Sequence, residues 1–202
     1  MIDRYLRTPK DIILRSIAQP VAKLNPTVVT GVALLVGIAA AVSLAFGQYW
    51  LGLALWLVNR VLDGLDGTIA RLTEQQTDLG GYLDILSDMV IYAIIPIALV
   101  IAAPSTALYI ALAALLASFY INGGSWMFLS SILEKRNQGA KAQKEQTSVI
   151  MPAGLIEGGE TIAFFCAFII FPQALLWLFI AMTVLVMYSM MQRIIWAVKH
   201  ID

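Results

Sequence analysis

From Thr27 to Phe46 the chain runs 20 residues without a charged side chain, and similar apolar runs recur along most of its length. Twenty such residues climb about 30 Å as a helix, the thickness of a bilayer's hydrocarbon core. Inside that core every peptide N–H and C=O must find its partner within the protein, which leaves helices or a closed barrel. Runs of this length are helical, so the expected fold is an all-α integral membrane protein. Six transmembrane helices are expected: 27–46, 49–72, 78–102, 106–133, 152–171 and a sixth from Phe171-Pro172-Gln173 to about Gln192. Pro26 suits the first turn of the first helix. Gly47-Gln48 and Pro104-Ser105 mark tight turns, and Asn122 with Gly123-Gly124 is expected to interrupt the fourth helix. Gly154 and Gly158, four apart, suit a close helix–helix contact in lipid.

Residues 1–24 differ in kind. Arg4, Arg7, Lys10, Arg15 and Lys23 alternate with Ile13, Leu14, Ile17, Ala18 and Val21 at helical spacing. That pattern predicts an amphipathic helix on the membrane surface, followed by a six-helix membrane domain over 25–202. The first apolar run starts too far in and is too long for a signal peptide. The 13 Lys and Arg fall at 1–24, 59–72, 134–151 and 193–202, with none in the three short turns at the opposite helix ends. The positive-inside rule therefore puts both termini and the 134–151 loop in the cytoplasm of a multi-pass plasma or inner membrane protein.

The acidic residues gather on that same side. Asp63 and Asp66 are three apart, Asp84 and Asp88 four apart, so each pair shares a helix face. Two helices packed side by side would aim all four carboxylates at one point. Asp63 follows about 20 Å of apolar helix from Tyr49, near the membrane edge, where unpaired acids are costly and mark function. Four acids against Arg60 and Arg71 leave surplus negative charge. Hard oxygens select a hard cation, Mg²⁺ or Mn²⁺ before Ca²⁺.

The full spacing reads Asp63-x2-Asp66-Gly67-x2-Ala70-Arg71-x8-Gly80-x3-Asp84-x3-Asp88. All eight positions match the signature of the CDP-alcohol phosphatidyltransferase family, which the chain resembles sharply over about 26 residues and loosely throughout. The resemblance implies transfer of a phosphatidyl group from a CDP-linked lipid, such as CDP-diacylglycerol, to an alcohol, with release of CMP. It implies two Mg²⁺ or Mn²⁺ ions on Asp63, Asp66 and Asp84, with Asp88 as general base and a contact to the second metal open to it. It also implies CDP-lipid binding by Gly67, Ala70, Arg71 and Gly80, and a homodimer in the bilayer. The small residues leave room for a nucleotide, and Arg71 offers paired hydrogen bonds to a phosphate.

The alcohol is not named by these residues: glycerol 3-phosphate, inositol or inositol phosphate, serine and other polar alcohols stay open. Candidate acceptor-binding residues are Arg60, Glu157, Glu160, Lys135 and Arg136. The two glutamates also suit the positive end of a helix dipole. Cys166, the one cysteine, reads as packing, and His200 as a solvated surface residue. Balanced charge, with 13 basic and 13 acidic residues, gives no case for nucleic-acid binding. A divalent-cation channel would need polar residues through to the far side, and none continue. An inactive scaffold would be expected to have lost a motif position, and all are filled.

Overall fold

The computed structural model describes residues 14–136 and 154–201, which are helical with no strand among them. Residues 14–21 form α1, followed by α2 (Pro26–Ala45), α3 (Tyr49–Leu72), α4 (Asp78–Ala102), α5 (Thr106–Lys135), α6 (Gly158–Ile170) and α7 (Leu175–His200). A short 3₁₀ turn, Pro172–Ala174, leads into α7. Local chemistry sets several starts. Asn25 Oδ1 accepts from the Thr27 N–H at 2.9 Å, Thr77 Oγ1 from Gly80 at 3.0 Å and Ser105 Oγ from Leu108 at 3.2 Å. Each side chain satisfies a backbone donor that the helix cannot.

Four segments are long and apolar enough to cross a bilayer: α2, α4, α5 and Pro172–His200. The other two expected spans differ for physical reasons. α3 has 24 residues, but its second half carries Arg60, Asp63, Asp66 and Arg71. α6 has only 13, about 20 Å of rise. Its start falls at Gly158 because residues 154–156 are fastened to α7, where the Ile156 N–H donates to Ser189 Oγ at 2.9 Å. Gly154 therefore lies before the helix and not on it. A Cβ there would stand 3.1 Å from Ser189 Cβ and 3.3 Å from an Arg193 Nη.

Two other expectations are corrected. α5 runs through Asn122 and Gly123-Gly124 without a break, and Asn122 Oδ1 accepts from Arg193 Nη1 of α7. α7 passes Gln192 to His200, because buried Arg193 and half-buried Trp196 give its last turns partners on α5. Residues 1–13 of the expected surface helix and most of the 134–151 loop lie outside the described residues. In the part that is described, Ala18 packs with Val29, Leu65 and Ile69 of α2 and α3.

α2 packs extensively on both α3 and α4, and α5 packs on α7. α3 and α4 make little close contact with each other, so the expected side-by-side pair is in fact two helices leaning on a shared third. Gly37 and Gly52 allow that approach. A Cβ on Gly37 would meet Ile91 Cδ1 at 2.4 Å and Asn59 Nδ2 at 3.0 Å, and one on Gly52 would meet Leu44 at 2.4 Å. The main core holds Trp56, Ile91, Ile95, Phe165, Phe168 and Phe179, all essentially inaccessible.

Gly37→Val is expected to destabilise the protein by about 1–3 kcal/mol, since buried Ile91 has nowhere to move. Gly31→Ala, with open space around the added carbon, is the control and should stay within about 0.5 kcal/mol of the parent. Unfolding of both variants in detergent measures the difference.

Candidate active site

The polar ends of α3 and α4 meet around one guanidinium. Arg60 is 9% exposed, and its Nη1 donates to Asp88 Oδ1 at 2.8 Å, Tyr92 Oη at 3.2 Å and Asp63 Oδ2 at 3.4 Å. Its Nε donates to Asn59 Oδ1 at 2.8 Å, while Asn59 Nδ2 donates to the Ala33 carbonyl of α2 at 2.7 Å. The guanidinium carbon lies 4.8 Å from the centre of the Trp56 ring and 5.3 Å from that of Tyr92. Trp56 in turn stacks on Phe165 at 5.0 Å. A charged fork buried this deeply needs such a set of acceptors and ring faces.

Asp66 is held differently. Its Oδ2 accepts from Thr30 Oγ1 of α2 at 2.5 Å, and its Oδ1 from the Gly67 N–H at 2.5 Å. The Thr30 hydroxyl also stands 3.2 Å from the Pro26 carbonyl, but its single proton is better placed toward the nearer, charged oxygen. Asp84, half-buried, makes no hydrogen bond or ion pair among the described residues. Gly67 lies beneath Arg71, whose Nη1 would be 3.3 Å from a Cβ added there. Arg71 is exposed and also donates to Thr68 at 3.2 Å. Gly80 sits in the first turn of α4 against its Thr77 cap, and Ala70 on α3 is half-buried.

In this arrangement no three His, Cys, Asp or Glu side chains among the described residues stand together as a cation site. The donor chemistry nevertheless fits a hard divalent ion. Among the described residues Asp84 makes no hydrogen bond or ion pair, Asp66 keeps its orientation through Thr30, and Asp63 and Asp88 have Arg60 as their salt-bridge partner.

The remaining candidates stand elsewhere. Lys135 and Arg136 are exposed at the end of α5, where Arg136 donates to the Ile201 carbonyl. Glu157 and Glu160 sit at the start of α6, where Glu160 Oε2 accepts from the Glu157 N–H at 3.3 Å as in a capping box. Of the candidate acceptor residues, only Arg60 contacts the aspartates.

Sequence reasoning passed over Thr30, Asn59 and Tyr92. Tyr92 is four residues after Asp88, a readable signal for the same helix face. Thr30 gave none, because a threonine in an apolar helix can bond its own i−4 carbonyl. Beyond the aspartates, Trp56, Phe165, Phe168 and Phe179 pack into an apolar helix core.

Three comparisons bear on this arrangement. The family model described as CDP-alcohol phosphatidyltransferase matches residues 23–196. Inner membrane protein YnjF of Escherichia coli strain K12 is 35% identical over 176 residues, covering 85% of this chain and 83% of its own. The crystal structure of Mycobacterium tuberculosis phosphatidylinositol phosphate synthase (PgsA1) with CDP-DAG bound has the same fold. Its TM-score is 0.70 at 21% identity, with coverage of 90% of this chain and 92% of that one. The manganese and citrate complex of the same synthase gives 0.67 at 21%, covering 88% and 87%.

Thr30→Val removes the hydroxyl that holds Asp66 while keeping the shape. It should weaken Mn²⁺ binding by roughly 10–100-fold, the usual effect of losing a partner behind a metal-binding side chain. Thr30→Ser should retain most of the affinity. Electron paramagnetic resonance of free Mn²⁺ over the purified variants reads the shift.

Proposed function

The chain belongs to the CDP-alcohol phosphatidyltransferase family, and from that premise we propose that it transfers a phosphatidyl group from a CDP-linked lipid, such as CDP-diacylglycerol, to a small polar alcohol. The observation that carries this reading is that Asp63, Asp66, Asp84 and Asp88 all lie at the polar ends of α3 and α4, two of them on one guanidinium, with the small residues Gly67, Ala70 and Gly80 on the same two segments. In the transfer the acceptor oxygen forms a new bond to the lipid-bearing phosphorus. The pyrophosphate P–O bond breaks, CMP leaves, and the acceptor's proton goes to a base.

Asp63, Asp66 and Asp84 would hold two Mg²⁺ or Mn²⁺ ions, with a contact to the second open to Asp88. Such ions neutralise phosphate oxygens and stabilise the departing CMP. Asp66 is kept in one rotamer by Thr30 and the Gly67 N–H, an orientation set before any ligand arrives. We assign Arg71, exposed and lying over Gly67, to pairing with a nucleotide phosphate. Asp88, with its side chain 32% exposed, is the member of the four that we assign as general base toward the acceptor hydroxyl. Arg60, Glu157, Glu160, Lys135 and Arg136 are the candidates for the acceptor side, Arg60 being the one of these that touches the aspartates, with the alcohol to be found by trial.

The chain is a multi-pass membrane protein. We further assign it six spans, a surface helix at its N-terminus, a homodimeric state, and a site open to the cytoplasm with both termini on that side. The charge distribution supports that orientation, since the Lys and Arg among the described residues lie toward the aspartate end. Cysteines at Gln48, Ser105 and Gln173 in a Cys166→Ala background should react with an impermeant thiol reagent from outside. Labelling of a cysteine at Ala140 instead would reverse the topology.

Purified protein given CDP-diacylglycerol, Mg²⁺ or Mn²⁺ and a panel of alcohols should release CMP with one class of acceptor, and EDTA should stop it. Asp88→Asn should lower turnover by roughly 10²–10⁴-fold, the usual contribution of a general base, with a much smaller loss of CDP-lipid affinity. Asp63→Asn should weaken binding and turnover together, because it removes a charge acting in ground state and transition state alike. If Asp88→Asn loses metal as completely as Asp63→Asn does, Asp88 is chiefly a ligand.

A further inference from the structure

Arg60 is not one of the eight motif positions, yet it is the group on which two of them converge. One nitrogen, Nη1, reaches Asp88 on α4 and Asp63 on α3, at 2.8 and 3.4 Å. In the proposed function those two carboxylates hold divalent ions. The guanidinium faces one oxygen of each, Asp63 Oδ2 and Asp88 Oδ1, and its positive charge opposes a second cation at those oxygens. A cation that takes either of these two oxygens has to displace Arg60 from it.

The surroundings are built to let them go. Arg60 keeps Nε on Asn59 Oδ1 at 2.8 Å and a contact to Tyr92 Oη at 3.2 Å. The Trp56 and Tyr92 rings lie at 4.8 and 5.3 Å from the guanidinium carbon. Asn59 is itself fixed by the Ala33 carbonyl at 2.7 Å, so the fork has an anchor that does not depend on the aspartates. The aspartates, at 25% and 32% side-chain exposure, are the partners open to solvent, and Arg60, at 6%, is the buried one. A charge this deeply buried would be left uncovered if the carboxylates were its only partners. Here it retains an amide, a phenol and two ring faces.

We propose that Arg60 is a resident counter-ion: it pairs with Asp63 and Asp88, offsetting part of their charge, and yields them when a divalent cation binds. This inference rests on the metal-binding reading given above. Its consequence is a threshold. Arg60 stabilises the empty state and so weakens metal affinity, which keeps the two acidic helix ends together when no ion is present.

The test uses the full chain purified in detergent, with Mn²⁺ alone as the probe. The parent should bind Mn²⁺ and Asp63→Ala should not; absence of binding in the parent removes the metal reading itself, and the inference with it. Given binding in the parent, Arg60→Met should bind Mn²⁺ about tenfold or more tightly, because a competing charge is gone. The same variant should unfold at lower temperature in EDTA and gain more from added Mn²⁺ than the parent does. Arg60→Lys keeps the charge and should stay close to the parent in affinity. A folded, monodisperse Arg60→Met protein with equal or weaker Mn²⁺ binding overturns the inference. So does an Arg60→Met protein that saturating Mn²⁺ cannot hold folded, if Arg60→Gln behaves the same way, since both would make Arg60 a packing residue alone.

Discussion

α3 and α4 make little close backbone contact with each other, and beyond the short 73–77 connection the Arg60 guanidinium between Asp63 and Asp88 is what fastens their polar ends together. Acids at the end of a membrane helix repel one another, and at low dielectric that repulsion is strong. One buried cation on α3 turns it into a cross-link. The link is specific because Arg60 is itself positioned: Asn59 ties it to α2, and Trp56 and Tyr92 limit its plane. An ammonium on a flexible stem would supply the charge without the fork that serves Asn59 and Asp88 together.

α2 supplies what α3 and α4 lack in mutual contact. Its Gly37 lets Ile91 and Asn59 come within a distance that any side chain would forbid. One face of α2 then serves both neighbours. The Ala33 carbonyl receives Asn59, and Thr30, one turn nearer the polar end, donates to Asp66. The backbone of α2 thus holds the basic side of the site, while its side chains hold part of the acidic side. A shift of this helix would disturb both at once, so packing in the apolar half and geometry in the polar half are coupled.

Most helix boundaries were legible because they rest on short-range signals. Tyr49–Leu72 and Asp78–Ala102 follow directly from a turn, an apolar run and a cap. The failures all depend on contacts remote in sequence. Gly123-Gly124 looks like a break only until Arg193 is seen to bind Asn122 from α7. The late start of α6 needs Ser189, 33 residues further on. The eight motif residues could be read from spacing, because on one helix spacing is geometry. Arg60 was legible as a charge but not as a bridge, and Thr30 was not legible at all. Both act between helices, and no periodicity records which helix lies opposite.

The division of the molecule into a polar end and a sealed apolar body suits an amphiphilic substrate. Around the aspartates, α4 presents Leu79, Tyr82, Leu86, Met89 and Val90 outward, while Asp84 and Asp88 lie between them in sequence and less exposed. Under the proposed function, a lipid held by its diphosphate at these acids keeps its acyl chains along apolar side chains that already face the bilayer. No tunnel through the protein is then required, and the buried Trp56–Phe165–Phe168–Phe179 packing can remain closed throughout. Under the same proposal, water and nucleotide meet the aspartates at the polar end. The same aromatic wall that forms the floor beneath Arg60 therefore separates the charged chemistry from the hydrocarbon, and it does so with the residue, Trp56, on which the counter-ion rests.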